Sequence, residues 1–129
     1  MVLSSPMILA FRISGLVAVA AIAVLSLVPG PARPHVFWTG SLEHVAAYFG
    51  AATLLCLGFL DFRSAQRAPA PALRIGGLLT AYGGALEIAQ LFVPGRGPAM
   101  LDWGADALGA WLGVGLVWML RRPVLAVLR

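Results

Sequence analysis

Leu78-Leu79-Thr80-Ala81-Tyr82-Gly83-Gly84-Ala85-Leu86-Glu87-Ile88-Ala89-Gln90-Leu91-Phe92-Val93 is an apolar run with one carboxylate inside it. A charged side chain at the centre of a membrane helix costs about 2.5–3.5 kcal/mol on insertion scales. A chain with only 5 acidic residues places one in such a run for a partner or for a use. Arg96, Asp102 and Asp106 follow closely in sequence and can supply either.

Composition sets the solvent. Of 129 residues, 60% are hydrophobic and 11% are charged, with a mean hydropathy of +0.92. Soluble domains carry about 25% charged residues, so this chain has too few to cover a water-facing surface. The length fits a single domain, 1–129. All 9 basic residues are arginines, and the net charge is +4. On a membrane protein that excess reads as orientation. No aromatic–basic interleaving of the kind that stacks bases is present, so no nucleic acid is expected. The single Cys56 permits no disulfide within the chain and no cysteine metal cluster, and it reads as a packing residue.

Four apolar segments emerge: Met7–Val28, His44–Leu60, Leu73–Val93 and Leu101–Leu120. Each is near the roughly 20 residues that span the hydrocarbon as a helix, and lipid demands that backbone polar groups be satisfied internally. The expected fold is an all-α membrane protein, a compact bundle of four transmembrane helices. The uncharged part of the first segment, Ile13 to Val28, is longer than the 7–15 residues of a signal-peptide core. It is expected to stay as a signal anchor. Pro29-Gly30-Pro31, the stretch Asp61 to Pro71, and Pro94-Gly95-Arg96-Gly97-Pro98 form the breaks.

Arginine placement orients the bundle. Arg12, Arg63, Arg67, Arg74, Arg121, Arg122 and Arg129 fall on one side; Arg33 and Arg96 fall on the other. The positive-inside rule then puts both termini in the cytoplasm, in the inner membrane. Small residues at helical spacing promise close packing: Ser14, Ala18 and Ala21; Gly76 and Gly83; Gly109 and Gly113.

On this topology Glu43, His44, Tyr48, Glu87, Gln90, Arg96, Asp102 and Asp106 converge on the outer face, while Asp61 lies at the inner end. Gly83, Glu87 and Gln90 form one helical stripe, as do Asp102, Asp106, Gly109 and Gly113. The expectation is a polar site opening outward. Bland roles compete for each residue. Glu43 and Asp102 suit helix N-termini, and Ser41 suits a cap. His44 and Tyr48 suit the membrane interface, and Arg96 suits a solvated turn. Glu87 and Asp106 suit a structural network with Arg96 and Gln90.

These residues, in this order, resemble the VanZ-like family. Its pattern has a His…Tyr element opening helix two, matched by His44 and Tyr48. A Glu-x-x-Gln follows, matched by Glu87 and Gln90, then a Pro-x-Arg turn, matched by Pro94-Gly95-Arg96. The Asp-x-x-x-Asn-x-x-Gly-x-x-x-Gly opening of helix four is matched by Asp102, Asp106, Gly109 and Gly113. Leu25-Ser26-Leu27-Val28-Pro29 fits the end of helix one. Two positions depart: Gly40-Ser41 stand where the family commonly carries Asp-Lys, and Asp106 stands for the usual Asn. The resemblance implies an envelope role related to glycopeptide (teicoplanin) resistance.

Three functions follow as expectations. The first is a binding protein for a membrane lipid head group, a glycan precursor or an amphiphilic antibiotic. Tyr48, Gln90, Arg96, Asp102 and Asp106 would be its contacts. The second is a small membrane enzyme with His44 or Glu87 as general base, or with His44, Glu87, Asp102 and Asp106 around a metal. No compact metal motif is present, so no metal and no cofactor is assigned. The third is proton-coupled transport, which the one-sided clustering of acids disfavours.

Overall fold

The apolar segments become four helices. The structure, a computed structural model, describes residues 4–32, 40–61 and 69–126, with backbone alone from 122 onward. Helix α1 is Ser5–Leu27, α2 Gly40–Phe59, α3 Ala70–Ala89 and α4 Met100–Ala126. A 3-10 helix over Gly30–Ala32 follows α1, and another over Gln90–Phe92 continues α3. No strand occurs among the described residues.

All four helices are long and apolar enough to cross a membrane. The helices start before their apolar segments, and α4 also ends beyond its own, while α1, α2 and α3 stop one to four residues short of theirs. Where a helix extends, hydropathy falls before helicity does. Gly40-Ser41-Leu42-Glu43 is too polar to extend an apolar run, yet it forms the first turn of α2. Helix α3 starts at Ala70 with Pro71 in its first turn, where a missing N–H costs nothing. Arg121 ends the apolar span of α4 but not the helix.

The helices run up and down. Helix α2 packs most extensively on α4; α1 lies against α2, and α3 lies against α4. Glycines make the central crossing close. A Cβ on Gly109 would collide with the carbonyl oxygen of Val45, and one on Gly113 would sit 2.6 Å from that of Phe49. Gly76 lies under the Trp111 ring and Gly15 against Leu55. In lipid there is no hydrophobic drive between helices, so such backbone approach is what association relies on.

Between them lies a core of Tyr48, Ala51, Ala52, Cys56, Leu79, Leu86, Ala110, Val114 and Val117. Outside it, every helix shows large apolar side chains: Val17 is 61% exposed, Leu42 55%, Leu78 70% and Leu108 54%. The bundle is apolar outward and carries polar groups inward, the reverse of a water-soluble helix pair. Directed hydrogen bonds tie the helices. The Tyr82 hydroxyl donates to the Val19 carbonyl at 2.7 Å, and Trp103 Nε1 donates to the Thr80 carbonyl at 2.9 Å.

At one end of the bundle, Arg12 Nε donates to the Gly58 carbonyl at 2.7 Å and its guanidinium lies over Phe59. Arg74 lies at the start of α3 and Arg121 near the end of α4, both at this same end. Arg33, Arg63, Arg67, Arg129 and the Arg122 side chain lie outside what the structure describes.

The crossing of α2 and α4 makes a sharp prediction. Gly109→Ala overpacks the contact and costs about 1–3 kcal/mol. Gly115→Ala, whose Cβ would meet open space, is neutral or stabilising by up to about 1 kcal/mol. Thermal unfolding of the two variants in detergent, followed by circular dichroism, checks the contrast.

Candidate functional site: a buried histidine–carboxylate cluster

The bundle end opposite Arg12 collects the polar residues. The first three turns of α2 bring Ser41, Glu43, His44 and Tyr48. The last turn of α3 brings Glu87, and the 3-10 turn after it brings Gln90. The first two turns of α4 bring Asp102 and Asp106. In α3 the inward stripe is Ala72, Gly76, Leu79, Gly83, Leu86 and Glu87, followed by Gln90. Steps of three and four keep these on one face. Glu87 is therefore carried inward by the same periodicity that carries the glycines.

At the centre is a direct contact. His44 Nδ1 lies 2.6 Å from Asp106 Oδ1, with both residues buried. With Asp106 ionised, the Nδ1–H donates and Nε2 carries no proton. The second nitrogen faces outward, 3.8 Å from Asp102 Oδ2. Asp102 in turn accepts a hydrogen bond from the Ser41 hydroxyl at 3.2 Å. The Tyr48 hydroxyl faces the Asp106 carboxylate from one turn deeper in α2. Gly83 makes room for that carboxylate: a Cβ there would stand 2.6 Å from Asp106 Oδ2.

Glu87 has a partner that the sequence did not offer. Its Oε2 accepts a hydrogen bond from the Ala99 backbone N–H at 2.7 Å. Ala99 is the N-terminal cap residue of α4, since its carbonyl accepts from the N–H groups of Asp102 and Trp103. The carboxylate thus lies at the positive end of the α4 dipole, where negative charge is favoured. A hydrogen bond to a charged group contributes about 1.5–3 kcal/mol. That offsets much of the insertion cost of Glu87.

His44, Glu87 and Asp106 each offer one ligating atom within 4.8 Å of the others, and all three residues are buried. Gln90, 3% exposed, continues the Glu87 stripe. Arg96 is placed differently from the acids. It stands half-buried in the turn before α4, and its Nη2 donates to the Ser26 carbonyl at the end of α1 at 2.9 Å. Gly95, with φ +71°, permits the turn, and the Gly30 N–H donates to the Pro94 carbonyl at 3.4 Å beside it. Of the sequence-derived set, the structure brings together His44, Tyr48, Glu87, Asp102 and Asp106, with Gln90 adjoining. Ser41, Gly83 and the Ala99 N–H are the additional participants. Ser41 had its place as a candidate cap of α2 as a signal, and Gly83 had helical spacing; a backbone N–H carries none.

Comparison of the chain with protein-family models, curated proteins and solved structures gives no match.

The His44–Asp106 contact predicts energetic coupling. Breaking a buried pair by removing one partner costs about 3–5 kcal/mol. In a double-mutant cycle, His44→Ala and Asp106→Ala should show a coupling of about 1–3 kcal/mol. His44→Ala and Asp61→Ala, at opposite ends of the bundle, should add within about 0.5 kcal/mol. Unfolding in detergent measures both.

Proposed function

We propose that this chain is a VanZ-like protein of the cell envelope. Its four helices span the inner (cytoplasmic) membrane with both termini cytoplasmic. The polar end of the bundle binds the head of an envelope amphiphile: an anionic lipid head group, a glycan precursor, or an amphiphilic antibiotic of the teicoplanin type. The observation that carries this reading is the burial of His44, Tyr48, Glu87 and Asp106 together at one end of a bundle whose outer surface is apolar. An amphiphile presents the same division, with an apolar tail for the lipid and a polar head for the bundle end.

The chemistry of the cluster narrows the head group. Carboxylates accept hydrogen bonds and favour cations, so sugar hydroxyls and amino groups suit Glu87, Asp102 and Asp106. Tyr48 and Gln90 add hydrogen-bonding capacity. Arg96, whose Nη2 donates to the Ser26 carbonyl, is a cation at this end that would meet an anionic group. Arginine distribution supports the orientation: Arg12, Arg74 and Arg121 stand at the end opposite Arg96.

A second reading, a small membrane enzyme acting on an envelope lipid, is favoured by the His44–Asp106 contact. A carboxylate on Nδ1 fixes the ring and supports Nε2 as a general base.

Native mass spectrometry of the chain in nanodiscs tests the first reading, with teicoplanin and a polyprenyl-linked glycan precursor as separate probes. Adducts that fall at least tenfold, on the order of 1.4 kcal/mol, in Glu87→Gln and Arg96→Leu are expected. Equal adduct levels in wild type and both variants would remove the reading. Turnover of the glycan precursor, lost in His44→Ala, would favour the enzyme instead.

A further inference from the structure

We propose that His44, Glu87 and Asp106 form a binding site for a divalent cation of the zinc class. The proposal rests on reading this bundle end as a ligand site, and it names the ligand class that the side chains themselves select.

Three observations combine. First, the donors are of two kinds, one imidazole and two carboxylates, drawn from three helices, with mutual approach within 4.8 Å. Imidazole suits Zn, Cu, Fe and Ni, and carboxylate suits harder cations such as Mn; a mixed set is one that zinc accepts readily. Second, all three are buried, at 7%, 6% and 1% exposure. Two carboxylates held that far from water favour a cation beside them, since charge is poorly screened there. Third, coordination capacity is left over. A carboxylate offers about four acceptor positions, and among the described residues Glu87 uses one, toward Ala99. Gln90, 3% exposed, lies one helical step from Glu87. An amide oxygen there suits an ion or its bound water.

Asp102 has a supporting place. It stands 3.8 Å from His44 Nε2 and is held by Ser41. Ligands of a zinc ion lie about 2.0–2.2 Å from it. Loading therefore draws Glu87 inward and opens the short His44–Asp106 contact, a change on the order of an ångström in the separations between donors. Gly83 permits that movement, having no Cβ against the Asp106 carboxylate.

The full chain, purified in detergent and stripped by chelator, tests this. Isothermal titration with Zn²⁺ alone should show one equivalent per chain, and Co²⁺ should give visible d–d bands on the same protein. Zn²⁺ should raise the thermal midpoint of wild type. Glu87→Gln, nearly isosteric, should weaken Zn²⁺ binding at least tenfold, as should His44→Gln. Asp61→Asn, at the far end, should leave it unchanged. Folded wild-type protein that takes up neither Zn²⁺ nor Co²⁺ overturns the proposal, whatever the variants do. Uptake unaffected by both Glu87→Gln and His44→Gln overturns it as well. Teicoplanin and glycan-precursor binding by chelator-stripped protein separates the two readings. Amphiphile binding without metal uptake overturns the metal site alone, and metal uptake without amphiphile binding supports the metal site while removing the amphiphile.

Discussion

Where α4 crosses α2, Gly109 meets the Val45 carbonyl and Gly113 meets that of Phe49. The rest of the polar end hangs on that approach. His44 precedes Val45 in α2, and Asp106 lies one helical step before Gly109 in α4. With the backbones this close, the imidazole and the carboxylate reach one another at hydrogen-bond distance. A larger residue at 109 or 113 would push α4 away and part them. Packing that contains no polar atom of the cluster thus sets the cluster's central distance. In lipid, where backbone approach replaces the hydrophobic drive, the same crossing holds the bundle and builds the site.

The second constraint is the cost of charge in a low dielectric. Buried polar groups persist when they are hydrogen-bonded, and buried charges persist when paired or bound to metal. Each acid of the cluster meets this in its own way. Asp106 has His44. Glu87 has the Ala99 N–H and the dipole of α4. Asp102 has Ser41 and stays partly exposed, with 28% of its side chain accessible. Arg96 ties the turn before α4 to the end of α1.

The helices were legible in the sequence because apolar length is a property of composition, and four runs of that length have few other uses. Their ends were less so, since Gly40 to Glu43 and the residues past Arg121 are helical without being apolar. Spacing made the stripes legible too: Glu87 with Gln90, His44 with Tyr48, Asp102 with Asp106. What spacing cannot supply is the rotation of one helix against another. That rotation brings Asp106 to His44 and leaves Arg96 turned to Ser26. The reach of Glu87 to Ala99 was hidden for a different reason, because every residue except proline has the same N–H and only the path of the turn aims it.

His44 divides the cluster by depth. Its Nδ1 looks inward to Asp106, which solvent does not reach, and its Nε2 looks outward to Asp102, which solvent does. One imidazole therefore joins an interior carboxylate to a surface one. A ring held on Nδ1 by a carboxylate keeps its orientation while Nε2 exchanges partners. That is a requirement of a general base. It also explains why an acid at position 106 has a physical consequence that an amide would lack. An amide hydrogen-bonds to the ring, but only a carboxylate adds the negative charge that favours a cation beside it.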